Sequence, residues 1–266
     1  MPGKLQMVVE HRMYLPLAAV MTLAAIGIHA AVRTRSWIVF AALALGLGAL
    51  AERRNENYQT VDAIWRDTVA KRPDNAQARY NLGAALAQMP GRLADAIVEY
   101  EEAVRLQPDY AEAHNNLGIL LAQTPGRLAD AAVHYEEALR LMPDSAPVHN
   151  NLGAALAQMP GRLADAIVEF EQAVRLQPDY AEAHDNLGLA LAQMPGRLKD
   201  AVGEHRAALR LRPDFAPAWH NLGAALYHLG DLPAAAAAFR EEVRLSPDDP
   251  AARQALTNVL GQARVH

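Results

Sequence analysis

The sequence contains no cysteine. Disulfides, thiolate metal sites and cysteine nucleophiles are thereby excluded, although the compartment is not fixed by this. Aromatic residues are scarce, at 6% of the chain. So few large rings cannot fill one big core. Alanine supplies much of the 52% hydrophobic share, and alanine packs well between closely spaced helices, so the composition leans all-helical. A basic stripe is also missing from the body of the chain. Residues 1–54 carry six Lys/Arg against two Asp/Glu, and residues 55–266 carry nineteen against twenty-eight. A body at −9 argues against nucleic acid as the main partner. There is no Gly-rich phosphate loop, no Gly-x-Ser-x-Gly elbow and no His-Glu-x-x-His. Carboxylate pairs such as Glu101 and Glu102 are neighbours on a helix surface and point different ways. The chain is therefore read as a non-enzyme, with no catalytic, cofactor-binding or metal-binding set and no small-molecule substrate.

Charge is absent in a second sense near the N-terminus. Met13 to Val32 is a run of twenty uncharged residues. At about 1.5 Å per residue it spans roughly 30 Å, one hydrocarbon core. Trp37 to Ala51 is a second uncharged run of fifteen residues, and Arg33-Thr34-Arg35-Ser36 between them reads as a tight polar turn. The expected object is a transmembrane helical hairpin, with helices near 13–32 and 37–51 and both ends on one side. Two buried soluble helices, or a secretory signal ending at Ala49-Leu50-Ala51, are the alternatives. Orientation stays open, because Arg33 and Arg35 pull the turn inward while Arg12, Arg53 and Arg54 pull the ends inward.

What the rest of the chain has in abundance is self-similarity. The triplet Asn-Leu-Gly begins at positions 81, 116, 151, 186 and 221, a step of 35 residues each time. Residues 81–108 and 151–178 differ only at Tyr100/Phe170 and Glu102/Gln172. A fixed period near 34 belongs to stacked helix–turn–helix repeats. Leu82-Gly83, Leu86, Ala96, Tyr100, Ala103 and Pro108 recur as Ala131, Tyr135, Ala138, Pro143, as Ala166, Phe170, Ala173, Pro178, and as Ala201, His205, Ala208, Pro213. The fifth repeat has Ala235, Phe239, Glu242 and Pro247. This pattern closely resembles the tetratricopeptide repeat family. His205 and Glu242 depart from it, which suggests looser packing towards the C-terminus. Met89-Pro90-Gly91-Arg92 and its counterparts make the inter-helix turn one residue longer than the family standard, and the fifth repeat, with His228-Leu229-Gly230-Asp231, returns to 34. Pro-Gly suits a turn because proline presets its own φ and glycine tolerates positive φ.

The expected architecture is an all-α tetratricopeptide superhelical solenoid preceded by the membrane hairpin. Its parts are a membrane segment over 1–54, a connecting helix or half repeat over 55–75, and five repeats over 76–248. The repeats run 76–110, 111–145, 146–180, 181–215 and 216–248. A cap helix and tail occupy 249–266. Val61, Trp65, Thr68 and Pro73 match the second-helix pattern and mark the half repeat. Pro250 suits the first turn of the cap. Gly83 and Ala96 are small where two helices approach, and Pro108 stops the second helix so that Asp109 can cap the next. Asp95 and Arg105, with Asp130, Asp165, Asp200, Arg140, Arg175, Arg210 and Arg244, complement helix dipoles.

First helices of stacked pairs line the inner face. There Asn81, Asn116, Asn151, Asn186 and Asn221 recur, followed seven residues later by Gln88, Gln123, Gln158 and Gln193, and by His228 in the fifth repeat. Two helical turns separate each pair, so both amides share a face. A primary amide has one acceptor and two donors and can bond a peptide backbone whatever its side chains are. The expected partner is an extended protein or peptide segment in the groove. The row is similar to the asparagine ladder of tetratricopeptide superhelices related to O-linked N-acetylglucosamine transferases; a packing role for these asparagines is the alternative. Family members that grip acidic C-termini use Lys and Arg on this face, so a carboxylate clamp is not expected here. His114, His149 and His184 share one position. Helices pack about 8–10 Å apart whereas zinc ligands sit about 2 Å from the ion, so these histidines are read as structural filling.

The layout also resembles the C-terminal part of multispanning protein O-mannosyltransferase-like proteins, through Glu10-His11-Arg12-Met13-Tyr14-Leu15-Pro16-Leu17, two apolar runs and then repeats. That resemblance implies an acceptor-recognition piece of a membrane glycosyltransferase whose catalytic part is outside this chain, with repeats on the extracytoplasmic side. The preferred reading is a membrane-associated interaction scaffold.

Overall fold

A computed structural model describes residues 42–48 and 60–262. Residues 42–48 form a short helical stretch with Leu43 and Leu45 exposed. The remainder of the two expected membrane helices lies outside the described residues. Among the described residues no helix is long and apolar enough to cross a membrane.

The repeat unit, from Trp65 onward, is built of helices alone among its described residues. Helix α1 (Val61–Lys71) leads into five pairs. These are α2 (Ala76–Ala87) with α3 (Leu93–Leu106), α4 (Ala111–Ala122) with α5 (Leu128–Leu141), α6 (Ala146–Ala157) with α7 (Leu163–Leu176), α8 (Ala181–Ala192) with α9 (Leu198–Leu211), and α10 (Ala216–His228) with α11 (Leu232–Leu245). Helix α12 (Pro250–Gln262) closes the stack against α11. Each pair packs tightly within itself and then against the first helix of the next pair.

Turn chemistry ends each first helix. Gly91, Gly126, Gly161, Gly196 and Gly230 all adopt positive φ, between 76° and 83°. This is the left-handed region that a Cβ disfavours, so glycine is a backbone requirement there, after proline in the first four turns and after Leu229 in the fifth. Arg92, Arg127, Arg162 and Arg197 flank the second helices and pair with Asp95, Asp130, Asp165 and Asp200. These pairs are solvated and contribute little individually. Asp109 is not a cap. Tyr110 flanks α4 and no side chain caps that helix. The turn at Pro108 and Asp109 runs one residue further than a simple cap would need. Asn75 does cap α2, accepting from the Ala78 amide at 3.0 Å, and Asp249 accepts from the Ala251 amide at 2.8 Å at the start of α12.

The core is a series of small-against-ring contacts. A Cβ added at Gly118 would lie 2.7 Å from the Tyr135 ring. Ala96, Ala131, Ala166, Ala201 and Ala235 are fully buried beside the corresponding rings. Packing does not loosen at the two departures from the pattern. His205 is 1% exposed and fills the ring position as closely as Phe170 does. It is tolerated because Asp185 replaces the asparagine found at 115 and 150 and bonds its Nδ1 at 2.7 Å. Glu242, in place of alanine, takes a hydrogen bond from His220 at 3.0 Å through Oε1, while its Oε2 is buried without a partner among the described residues. Burial raises the Glu242 carboxyl above its ordinary range. The apolar core divides at this level, with one cluster from Val69 to Ala201 and another from Val202 to Val259. In α12, Ala252 and Val259 are buried while Arg253 and Gln254 face solvent.

Candidate peptide-binding groove

First helices of successive pairs touch each other, α4 with α6, α6 with α8 and α8 with α10. The second helices make no contact of that extent among the described residues. The first helices are therefore the inner, closely spaced layer, and the second helices the outer one.

The recurring asparagines sit in the inner layer and are half-buried. Their donors are spent between repeats. Asn116 Nδ2 donates to the Tyr80 hydroxyl at 3.0 Å, Asn151 to Asn115 Oδ1 at 3.1 Å and Asn186 to Asn150 Oδ1 at 2.9 Å. Asn221 donates to both oxygens of Asp185, at 3.1 and 3.3 Å. Each bond joins a first helix to the preceding one, and each contributes on the order of 1 kcal/mol. Asn81 instead bonds within its own helix, where its Oδ1 accepts from Gln77 at 3.4 Å. An amide that spends one N–H keeps a second N–H and, at Asn151, Asn186 and Asn221, a carbonyl oxygen for which the described residues supply no hydrogen bond.

Gln88, Gln123, Gln158 and Gln193 are exposed at the C-terminal ends of the first helices, as is His228. Gln158 and Gln193 fold back onto the carbonyls of Ala154 and Leu189, at 3.0 and 3.2 Å. A ligand must displace weak, solvent-facing bonds here, which costs little. Between the two amide rows lies a floor that sequence reasoning missed. Ala84, Ile119, Ala154, Leu189 and Ala224 stand one turn after each asparagine, on the same face. The floor alternates small and large, and Leu189 is 46% exposed. The acceptors Tyr80, Asn115, Asn150 and Asp185 were missed too. The signal available was their place, always one residue before the Asn-Leu-Gly triplet. At the edge of the inner layer Arg212 bonds Glu182 at 2.6 Å and stacks 3.5 Å over the Phe215 ring. Tyr80 packs between Tyr100 and Tyr110 at the N-terminal end.

The histidines serve a different layer. Nε2 of His114, His149 and His184 donates to the carbonyls of Pro108, Pro143 and Pro178 at 3.2, 3.0 and 3.0 Å. Arg79 and Trp219 do the same to Pro73 and Pro213. The other ring nitrogen meets the second helix of the same repeat: His134 at 3.0 Å, Glu169 at 2.6 Å and Glu204 at 2.7 Å. Each ring thus latches the preceding turn to its own helix pair. The bond to Glu204 raises the His184 pKa, whereas burial and the neighbouring His114 lower that of His134.

Residues 91–124, 125–159 and 161–194 match the family described as TPR repeat, and residues 47–100 and 196–250 match that described as tetratricopeptide repeat. Three solved structures illustrate the likeness. YrrB, a TPR protein with an unusual peptide-binding site, is 22% identical, with a TM-score of 0.58 over 72% of this chain and 96% of its own. MamA from Desulfovibrio magneticus RS-1 is 23% identical, with a TM-score of 0.58 over 66% and 97%. The type IV pilus biogenesis factor PilW is 20% identical, with a TM-score of 0.60 over 72% and 93%. At these identities the likeness is one of fold. No curated protein matches the chain.

Proposed function

Because the chain belongs to the tetratricopeptide repeat family, we propose that it is an interaction scaffold whose inner groove holds an extended segment of another protein. The observation that carries this reading is the row of half-buried asparagines, of which Asn151, Asn186 and Asn221 keep a carbonyl oxygen that the described residues leave without a hydrogen bond, bordered by exposed glutamines and floored by alternating small and large apolar residues. The amides would meet the ligand backbone, and the hollows over Ala84, Ala154 and Ala224 would admit its side chains. YrrB, of the same fold, has a peptide-binding site, which agrees with the reading. The asparagines do two jobs in it, since they also join the repeats, so replacing them would confound binding with stability. The exposed positions give a cleaner test.

In the full chain, Gln123→Ala, Gln158→Ala and Gln193→Ala combined with Leu189→Asp should weaken peptides selected from a random library by roughly tenfold or more, with helix content unchanged. Equal affinity in the quadruple variant would sink the groove as the binding site. The uncharged runs at 13–32 and 37–51 support a membrane tether for this scaffold. Partition of the full chain into detergent, lost on deleting residues 1–51, is the corresponding check. The second reading, an acceptor-recognition piece of a membrane glycosyltransferase, rests on the order of segments alone. An upstream reading frame with several further membrane helices would favour it.

A further inference from the structure

The outer layer breaks its own pattern once. In the second, third and fourth repeats the ring at 114, 149 or 184 is closed over by His134, Glu169 or Glu204 from the second helix. In the fifth repeat the ring is Trp219, and the turn is one residue shorter, so Ala238 stands where those side chains stand. Ala234 likewise stands where Asp130, Asp165 and Asp200 do. The truncation opens a hollow of about 470 Å³ between α9 and α11, floored by Trp219, Leu222 and Leu226 of α10. These floor residues are offset by two positions, about 200° of helix, from Asn221, Ala224 and His228, so the hollow faces away from the inner groove.

The rim changes charge at the same level. Arg206 stands where Glu101, Glu136 and Glu171 stand. Arg105, Arg140 and Arg244 each pair with a glutamate three residues back, and Arg175 bonds Gln172. Arg210 has Ala207 at that place, and neither Arg206 nor Arg210 has an ion pair among the described residues. Both line the hollow and both are exposed. Two unpaired arginines thus border the apolar hollow, in a body that otherwise carries an excess of acid.

We infer that this hollow is a second docking site, distinct from the inner groove, for a segment of another protein that presents one bulky apolar side chain flanked by acidic residues. Trp219, Leu222 and Leu226 receive the side chain, and Arg206 and Arg210 meet the carboxylates. The chain's own ends do not suit it. Residues 1–54 carry six Lys/Arg against two Asp/Glu and residues 263–266 carry no Asp or Glu, so neither supplies a bulky apolar side chain flanked by acidic residues.

The test uses the full chain and fluorescent dodecapeptides with a central tryptophan flanked by Asp and Glu, by Ser, or by Lys. The acidic peptide should bind best, with affinity falling as salt rises. Arg206→Glu with Arg210→Glu should weaken it roughly tenfold or more. Ala238→Glu, which restores the residue of the third and fourth repeats, should do the same by filling the hollow. The inner-face variant Gln123→Ala with Gln158→Ala should leave it unchanged. No binding of the acidic peptide, indifference to flanking charge, or full affinity in either hollow variant overturns the proposal. So does a self-association of the wild type that the arginine reversals abolish, because the occupant would then be a second copy.

Discussion

Replacing His205 by Phe is expected to destabilise the chain by about 3 kcal/mol, and adding Asp185→Asn is expected to recover that loss or more. In the wild type His205 Nδ1 and Asp185 Oδ1 are 2.7 Å apart, with side chains only 1% and 8% exposed. Removing the imidazole leaves a buried carboxylate held by Asn221 alone, and breaking a buried pair from one side costs about 3–5 kcal/mol. The double replacement instead recreates the arrangement one repeat earlier, where Phe170 fills the ring site and Asn150 accepts from Asn186. The double replacement thereby exchanges a buried imidazole–carboxylate contact for a well-packed neutral set, and such exchanges of buried polar pairs are often neutral or stabilising by about 1–4 kcal/mol. The same exchange should join the two apolar clusters that meet at this level. Stability in a repeat array is a sum of units and interfaces, so the double variant should unfold in urea in fewer steps than the wild type. Circular dichroism during urea unfolding of the four members of the cycle measures both effects. Additive losses from the two single changes would show that His205 and Asp185 do not act as a pair.

Gly118→Ala should destabilise by about 1–2 kcal/mol, while Gly203→Ala, also inside a helix, should stabilise by about 0.5–1 kcal/mol. Alanine is worth about 1 kcal/mol more than glycine in a helix interior. At Gly203 nothing lies within 4 Å of the added Cβ, so that gain is realised. At Gly118 the Cβ would meet Tyr135 Cε1 at 2.7 Å and Cδ1 at 2.9 Å, and the ring is 2% exposed with nowhere to retreat. Overpacking costs about 1–3 kcal/mol, enough to reverse the sign. Denaturation midpoints of the two variants at equal slope decide the matter. A stabilising Gly118→Ala would mean that the helix pair is looser than described.

Much of this was legible in the sequence because the repeats compare themselves. Close helix approach at Gly83 and its counterparts follows from small residues recurring at fixed places, whereas the period alone does not say that the ring set against each glycine, such as Tyr135 at Gly118, belongs to the same repeat. Positive φ at Gly91 and its counterparts follows from Pro-Gly between two apolar periods. The inter-repeat bonds were not legible in the same way. Asn-Leu-Gly announces an amide on the inner face, but its partner lies 36 residues back, in the preceding repeat, and varies as Tyr80, Asn115, Asn150 and Asp185. Read alone, His205 looks like a defect. Its compensation by Asp185 is a contact across helices, which no local period reveals. The apolar hollow at Trp219 was hidden for a similar reason. It arises because a one-residue shorter turn brings Ala238 into register with Glu204, so the relevant comparison crosses an irregular step.

The two layers thus offer two surfaces with different chemistry. The inner one is built of amides over a ribbed apolar floor. The outer one carries the apolar hollow at Trp219 with its basic rim. Since the chain has no native cysteine, one introduced thiol is a unique probe of either face. The most direct measurement is the alkylation rate of Gln158→Cys on the inner layer and of Val133→Cys, exposed on the outer one, with and without a saturating library-selected peptide. Slowed alkylation at position 158 with an unchanged rate at 133 is expected. Protection at 133 with free reaction at 158 would place the peptide on the wrong side of the stack and contradict the inner groove as the binding surface.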